Sequence, residues 1–535
     1  MHDADVVILG GGLGGLTLAL QLRGAAPELS VTVLERQAHP VPTAVHKVGE
    51  STVEIGAHYL DTILGLAPHL REHQLRKFGF RFFFSHGRRD IDAVTELGAS
   101  RYLHTPGYQL DRGILENHLG AEARARGVDF RTRATIRKIE LDSAQAGAGM
   151  HAVRYEHDGE EHSLKARWIV DASGRAGLLR RQLGLQTDNG HHANAVWFRL
   201  GTRIDIDDWS HDAQWHARCE RRERWLSTNH LVGPGYWVWL IPLSSGSHSV
   251  GIVADETVHP LRTMNSFERA CAWLRTHQPQ LAEVVDRERD TLQDFVALKR
   301  FSYGCRHVFS TDRWALTGEA GLFLDPFYSP GTDFIAISNT FICELIAHER
   351  AGRPLATYAP LYEQIYFSFY ESTLELYRGQ YPVFGNAEVM PIKVLWDYAF
   401  YWGILCQFFF GRRLTDLGSL SRLRGELASV QRLNTQLQLL FREWSAARPA
   451  ANASRMLDQA ALPWFAELNR SLGDELDDRG FQDRIRGNTA LLHELAAQIL
   501  VRARAGAPTS AIEAVERVLP GATPAAAPLL FQPAA

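Results

Sequence analysis

The chain has 535 residues, 45% of them hydrophobic and 22% charged, with a net charge of −4. That composition suits a globular protein of two or three domains, and the lack of a basic block gives no reason to expect a nucleic-acid partner. Five scattered cysteines (Cys219, Cys271, Cys305, Cys343, Cys406) form no C-x-x-C pair, which excludes a zinc ribbon, argues against a disulfide framework and fits a reducing cytoplasm. The first strand begins too early to leave room for a signal peptide. No uncharged apolar run approaches the roughly 20 residues of a membrane span.

Asp5 to Leu9 reads as a short apolar strand running into Gly10-Gly11-Gly12-Leu13-Gly14-Gly15 and a helical run from Leu16 to Leu22. A second strand, Val31 to Leu34, ends at Glu35 and Arg36. Gly10, Gly12 and Gly15 fill the G-x-G-x-x-G positions with a strand before and a helix after, the context a dinucleotide requires. One glycine makes the tight turn, one lets the backbone close on a pyrophosphate, and one lets helix and strand pack. The helix N-terminus offers N–H groups and the positive dipole end to the phosphates. Glu35 is placed to accept hydrogen bonds from the ribose hydroxyls of an unphosphorylated adenosine.

Further along, Gly49-Glu50-Ser51 precedes apolar residues at helical spacing from Ile55 to Leu66, with Gly65 as the stop. Leu75 to Phe84 alternates at its centre and reads as a strand, with Lys77 at its entrance. The bland expectation for Lys77 is a solvated strand-edge lysine. Gln109-Leu110-Asp111-Arg112 leads into a helix from Gly113 to Gly127, and residues 151–171 read as a strand pair closed by Asp171-Ala172-Ser173-Gly174. That closing turn either approaches a ligand or is an ordinary Asp/Gly turn.

From Ala195 to Val253 the chain is strand-like and aromatic, and Trp237, Trp239 and Ile241 fall on one face. Residues 266–290 read as helical. A strand and turn at 313–321, containing Gly318 and Glu319, lead to Pro326, Tyr328, Ser329, Pro330, Gly331 and Thr332 and then a helix through Ile346. A turn followed by a helix can present N–H groups to an anion. Residues 358–445 carry aromatic and aliphatic residues at helical spacing, densest from Trp396 to Phe410. They suit a buried core helix or a greasy substrate wall, while Arg412 and Arg413 keep an interfacial helix open. Ala446 to Ser454 reads as a linker, followed by amphipathic helices to Ala505 and a loose Ala- and Pro-rich tail over 506–535.

Five features, in order, resemble the flavin-dependent halogenases within the FAD monooxygenases. They are the nucleotide fingerprint, Gly49-Glu50-Ser51, Lys77-Phe78-Gly79, Trp237-x-Trp239-x-Ile241-Pro242, and Phe323-x-x-Pro326-x-x-Ser329-x-Gly331. The block before the 113–127 helix likewise resembles the arm by which glutathione-reductase-type flavoproteins place an arginine, here Arg112, near the flavin. The resemblance implies an α/β fold: a doubly wound FAD-binding domain of the glutathione-reductase or p-hydroxybenzoate-hydroxylase kind, a mixed β-sheet substrate domain, and a helical C-terminal region. The expected boundaries are a core over 1–345, with the substrate-side sheet at about 80–110 and 190–300, and a helical region over 346–505.

The resemblance also implies FAD as cofactor, supplied as FADH2 by a separate reductase. Its contacts would be Gly10, Gly12, Leu13, Gly14, Gly15, Glu35, Arg36, Gly49, Glu50, Ser51, Arg112, Asp171, Gly174, Gly318, Glu319, Pro326 and Gly331. In such enzymes a flavin C4a-hydroperoxide oxidises chloride or bromide, held beside Ser329, Gly331 and Thr332, to hypohalous acid. Lys77 would hold or relay that acid to an electron-rich carbon, and Trp237 and Trp239 would keep substrate from the flavin. Two departures bear on this. Tyr328 stands where tryptophan-specific members carry a glutamate, which points to a hydrophobic aromatic or carrier-bound substrate instead. Pro330 has no N–H to give a halide, which keeps open a halide-independent FAD monooxygenase or oxidase. A non-catalytic flavoprotein that binds a partner or a membrane surface through residues 396–413 is the third reading.

Overall fold

The computed structural model describes residues 2–43, 49–142, 149–219, 221–448, 452–519, 521 and 528–532. The chain forms two compact units, each assembled from segments far apart in sequence. The first comprises residues 1–74, 110–190 and 302–370; the second comprises 75–109, 191–301 and 371–535.

The first unit is built on a sheet whose parallel part runs, in order, Asp129–Arg131, Val31–Leu34, His2–Leu9, Glu160–Asp171 and Trp314–Leu316. Val6, Val7, Ile8 and Leu9 are fully buried, as expected of a parallel strand covered on both faces. His151–His157 extends the sheet antiparallel to the early part of Glu160–Asp171, and Ala134–Glu140 pairs antiparallel with His151–His157 in turn. Helix Leu13–Ala25 follows the first strand, and helix Gly331–Arg350 packs beside it.

A buried polar node joins these two helices to the segment after residue 53. The Asn339 amide donates to the Gly14 carbonyl (3.2 Å), Thr17 Oγ1 (3.1 Å) and Tyr59 Oη (3.0 Å), and its oxygen accepts from Thr317 Oγ1 (2.7 Å). Tyr59 Oη in turn donates to Gln21 Oε1 at 2.8 Å. The single helix expected over Ile55 to Leu66 is instead an α-helical turn, Glu54–His58, that widens into a π-helix at Tyr59–Ile63. Such a widening re-aims side chains, and Tyr59 is the one that reaches Asn339. Gly65 follows with φ +72°, as a helix stop requires.

The second unit contains an eight-stranded mixed sheet in the order Leu292–Leu298, Ala193–Leu200, His248–Asp255, Tyr236–Pro242, Thr228–Gly233, Phe80–Phe83, Thr95–Gly98 and Arg455–Asp458. Val196, Phe198, Leu231, Val238, Leu240, Val250 and Ile252 form one core with Phe267, Ala270, Leu274, Leu281 and Val285. Those last five lie on helices Phe267–His277 and Pro279–Arg287, where Pro279 divides the expected helix over 266–290 in two. The same face carries an ion network with no exposed side-chain charge. Arg81 pairs with Glu96; Arg224 holds Glu96 (2.9 Å) and Asp207 (2.7 Å) and lies 3.9 Å over Trp215.

The C-terminal segment departs from expectation in two places. The linker over Ala446 to Ser454, of which 449–451 lie outside the described residues, leads into an edge strand, Arg455–Asp458. Asn452 Oδ1 accepts from the Thr95 N–H (2.7 Å) and Asp458 Oδ1 from the Ser100 N–H (2.9 Å), so side chains fasten a strand too short to show a period of its own. Within the expected loose tail, Thr509–Glu516 is a helix packed on helix Arg424–Ala447; residues 520, 522–527 and 533–535 lie outside the described set. Val389–Phe400, the π-helix Tyr401–Cys406 and Gln407–Phe410 bury Trp396, Trp402, Phe408 and Phe409, so this segment is core. Among the described residues no helix is long and apolar enough to cross a membrane, and no disulfide joins the cysteines.

Replacing Asn339 with leucine strands buried partners on three elements and is expected to cost about 2 to 4 kcal/mol, read from chemical denaturation. Acid should act before the carboxylates titrate. Burial holds His69 and His277 down to about 4, and burial with the Lys77 charge takes His230 to about 3. The unfolded chain binds protons that these folded imidazoles refuse, so their contribution is complete above about pH 6.5 and is lost as pH falls toward the folded values. Glu96 adds a second loss lower down. Burial opposes its charge, yet Arg81 and Arg224 outweigh that and hold it below the usual range, so its contribution disappears only below about pH 4.5. Stability that stayed level from about pH 7 to 5 would contradict this.

Candidate active site

In the first unit, Gly10, Gly15 and the end of strand Glu160–Asp171 meet so closely that side chains have no place. A Cβ on Gly15 would lie 1.9 Å from the Gly10 oxygen, and one on Gly10 (φ +116°) would lie 2.5 Å from the Ala172 oxygen. Nothing stands within 4 Å of the Cβ position of Gly12, which is the open approach that a pyrophosphate needs. Glu35 Oε2 accepts from the Gly11 N–H at 2.7 Å, at the end of its strand and half-exposed; Arg36 beside it is exposed. Leu13 and Gly14 open the helix, and the Gly14 carbonyl is fixed by Asn339. The residues present fit a dinucleotide of the FAD type.

Other candidates around this cradle have defined places. The Glu50 carbonyl accepts from the Leu110 N–H (2.7 Å), and a Cβ on Gly49 (φ +86°) would meet the Arg112 guanidinium at 2.8 Å. Arg112 also holds Glu116 at 2.5 Å, and Glu50 and Ser51 are buried. Asp171 points inward. Its carboxylate accepts from the Ser173 and Leu179 N–H groups (2.9 and 2.7 Å) and its acidity is weakened by burial, so it shapes the turn that carries Gly174. Arg180, which the sequence does not single out, braces the Gly318–Glu319 turn. It donates to the Glu319 and Gly321 carbonyls (2.9 and 3.1 Å) and stacks 4.1 Å over Tyr303, while the Glu319 carboxylate pairs with Arg175 at 3.1 Å.

The turn before helix Gly331–Arg350 is tight. Tyr328 and Ser329 take φ of +67° and +54°, and the Ser329 N–H donates to the Pro326 carbonyl at 2.9 Å. Pro330 caps the helix and its carbonyl accepts from Phe334. Gly331 and Thr332 therefore supply first-turn N–H groups that have no acceptor within the helix. Thr332 is buried against Gly56, whose N–H donates to Asp333 Oδ1 at 2.8 Å.

In the second unit, alternation along the strands puts Phe80, Phe82, His230, Trp237 and Trp239 on the sheet face opposite the core helices. Lys77 stands here, in the connection between Leu75–Arg76 and Phe80–Phe83. It is 5% exposed, its N–H donates to the Gly107 carbonyl (2.9 Å), and its Nζ lies 3.4 Å over the Phe80 ring. The solvated-edge expectation does not hold. His230, another residue the sequence reading passed over, stacks on Phe82 (4.7 Å) and stands edge-on to Phe80 (5.3 Å). Tyr398 of helix Val389–Phe400 reaches Phe80, and Trp237 Nε1 donates to Tyr381 Oη at 3.2 Å. Trp239 donates to Ser249 and lies directly over Gly251, where a Cβ would come within 2.1 Å of the indole. Gly251→Ala should expel that indole, at about 1 to 3 kcal/mol, and shift the tryptophan fluorescence; an unshifted spectrum at unchanged stability would count against this packing.

Residues 3–284 match the FAD binding domain family. The chain is similar to a flavin-dependent halogenase of Dictyostelium discoideum, 26% identical over 77% of this chain and 72% of the relative. It is also similar to the 1H-pyrrole-2-carbonyl-[peptidyl-carrier protein] brominase of Pseudoalteromonas luteoviolacea, 26% identical over 62% of this chain and 74% of the relative. Its fold matches the halogenase PltM in complex with phloroglucinol and FAD, with a TM-score of 0.63, 18% identity, and coverage of 96% of this chain and 99% of that one. The fingerprint, its open cradle and the family match converge: the chain belongs to the FAD binding domain family and is an FAD-dependent oxidoreductase similar to the flavin-dependent halogenases.

Proposed function

We propose that this protein halogenates an electron-rich, hydrophobic aromatic ring, using FADH2 from a separate reductase, O2, and chloride or bromide. The observation that carries the reading is Lys77, buried with its Nζ on the Phe80 ring within an aromatic face. A buried lysine can polarise hypohalous acid as an ammonium or take up the halogen as an amine. Reduced FAD, when bound, supplies the electrons for O2 activation. Gly10, Gly12, Leu13, Gly14, Gly15, Glu35 and Arg36 would hold its adenosine and pyrophosphate. Gly49, Glu50, Ser51, Arg112, Gly174, Gly318, Glu319, Pro326 and Gly331 would line the rest, with Asp171 positioning Gly174. Trp237 and Trp239 would exclude substrate from the flavin side. The pyrrole ring in one relative's name and the phloroglucinol in one structural neighbour are both electron-rich, which supports this substrate class, carrier-bound or free.

One observation favours the second reading, a halide-independent monooxygenase or oxidase. The Ser329 N–H is held by Pro326 and Pro330 has none to give, so a halide would rest on Gly331 and Thr332, and a poorly partnered anion in a dry site is costly.

Oxidation of the FADH2-loaded protein by O2, with chloride, bromide or neither, separates the two. Halide-dependent halogenation of a phenol trap such as phloroglucinol is expected. Lys77→Ala should keep halide oxidation, detected by a thioether in solution, while ring halogenation falls about 100-fold or more, roughly 3 kcal/mol of transition-state stabilisation. Flavin oxidation indifferent to halide, with a hydroxylated or desaturated product, would favour the second reading.

A further inference from the structure

The first turn of helix Gly331–Arg350 cannot be capped in the usual way by its own chain. An acidic side chain at the third helical position ordinarily folds back onto the N-cap N–H, and the N-cap here is Pro330, which has none. Asp333, buried at that third position, reaches across instead and accepts the Gly56 N–H on Oδ1 at 2.8 Å. Gly56 lies buried in the helical turn Glu54–His58. Its φ is outside the left-handed region, so the backbone there does not call for glycine, and glycine weakens a helix relative to alanine. Space is the reason for it. A Cβ on Gly56 would lie 2.9 Å from both Cβ and Cγ2 of Thr332 and 3.2 Å from Asp333 Oδ1, where carbon atoms at rest stand about 3.5 to 4.0 Å apart. Thr332 is itself buried. Further along the same helix Asn339 donates to Tyr59 Oη at 3.0 Å. Residues 54–63 therefore brace the helix at two levels, and the level at Gly56 is the one that touches its first turn.

We propose that Gly56 is the positioning residue of the halide site: the missing side chain there sets where the Thr332 N–H stands, and so how closely a halide is held beside it. This rests on the reading of Gly331 and Thr332 as the halide donors. The turn has no donor to spare. The Ser329 N–H is spent on the Pro326 carbonyl and Pro330 has none, which leaves the successive N–H groups of Gly331 and Thr332. The crowding at these two residues is one-sided. Nothing stands within 4 Å of the Cβ position of Gly331, whereas Thr332 is pressed on the Gly56 backbone. A hydrogen bond weakens steeply as its angle closes from linear, so a Thr332 pushed off Gly56 loses its hold on the ion even where Gly331 keeps its place. The Gly56 N–H on Asp333 Oδ1 sets the same turn from the other side of the contact. One bond and one bare backbone position thus fix the seat, and neither belongs to the residues that would touch the halide.

The test reads halide binding directly, without turnover. Chloride is titrated into FAD-loaded protein and its NMR line broadening is measured, with bromide as the displacing ion. Gly56→Ala should weaken chloride binding about tenfold or more, while FAD affinity, read from quenching of flavin fluorescence, stays as in the wild type. In Gly56→Ala/Thr332→Gly the new methyl has lost the atoms it strikes hardest. Chloride should then bind as it does to Thr332→Gly alone, which a general loosening would not produce. Unchanged chloride binding in Gly56→Ala, or chloride and FAD affinity lost together, overturns the role of Gly56 and leaves the halide reading intact. No bromide-displaceable broadening in the wild type overturns the halide reading itself, and this proposal with it. Should Gly56→Ala not fold, Asp333→Ala and Asp333→Asn decide. Both remove the charge, and only asparagine keeps an oxygen for the Gly56 N–H, so chloride should bind the alanine variant more weakly; equal affinity overturns the positioning role.

Discussion

Everything on the second unit's sheet depends on which face each residue occupies, because a strand slipped by one position exchanges core and site wholesale. The ion network of Arg81, Glu96, Arg224 and Asp207 is well suited to prevent that slip. It ties strands Phe80–Phe83 and Thr95–Gly98 to the turn before Thr228–Gly233, on the face that carries the core. A register moved by one in either strand would carry Arg81 or Glu96 to the aromatic face away from its partners, at a cost far above that of losing apolar contacts. The network therefore acts less as a source of net stability than as a rule about register. Arg81 is the hinge of that rule: its charge faces the core so that Phe80 and Phe82, one residue to either side, face Lys77 and His230.

The first unit solves a different problem. Its strands and helices must approach so closely at Gly10 and Gly15 that backbone touches backbone, and the open space at Gly12 must stay open. Glycines permit the approach but hold nothing. Asn339 does the holding, since one amide satisfies the Gly14 carbonyl, Thr17 and Tyr59 and accepts from Thr317. Helix Gly331–Arg350 is thus locked to the fingerprint helix through a side chain two turns inside it. The orientation of its first-turn Gly331 and Thr332 N–H groups follows from that lock.

The sequence made the nucleotide cradle legible because glycine spacing and strand–helix alternation are local signals with a single physical reading. Lys77 and the paired tryptophans were legible through motif order, and Trp239 over Gly251 gives one of those motifs its packing reason. What stayed hidden was long-range. Asn339 and Arg180 act on elements over 100 residues away. Strand Arg455–Asp458 is recruited by Asn452 and Asp458 rather than by its own hydrophobicity. His230 sits in an ordinary-looking strand, and only pairing with Phe82 and Trp239 reveals its company. The π-helical turns at Tyr59 and Tyr401 leave no periodic trace that a helical pattern could betray.

Two buried lysines of the second unit show what such company decides. Lys393, fully buried on helix Val389–Phe400, donates to Asp397 at 2.6 Å, and Gln438 fixes the other carboxylate oxygen at 2.8 Å. Burial lowers its basicity and Asp397 counters that, so losing the proton would leave an uncompensated carboxylate in the core. Such a lysine is a structural cation. Lys77 stands instead on an aromatic face, its Nζ over the Phe80 ring. A ring stabilises an ammonium without accepting its proton, whereas the hydrogen bond from Lys393 to Asp397 fixes both groups in place.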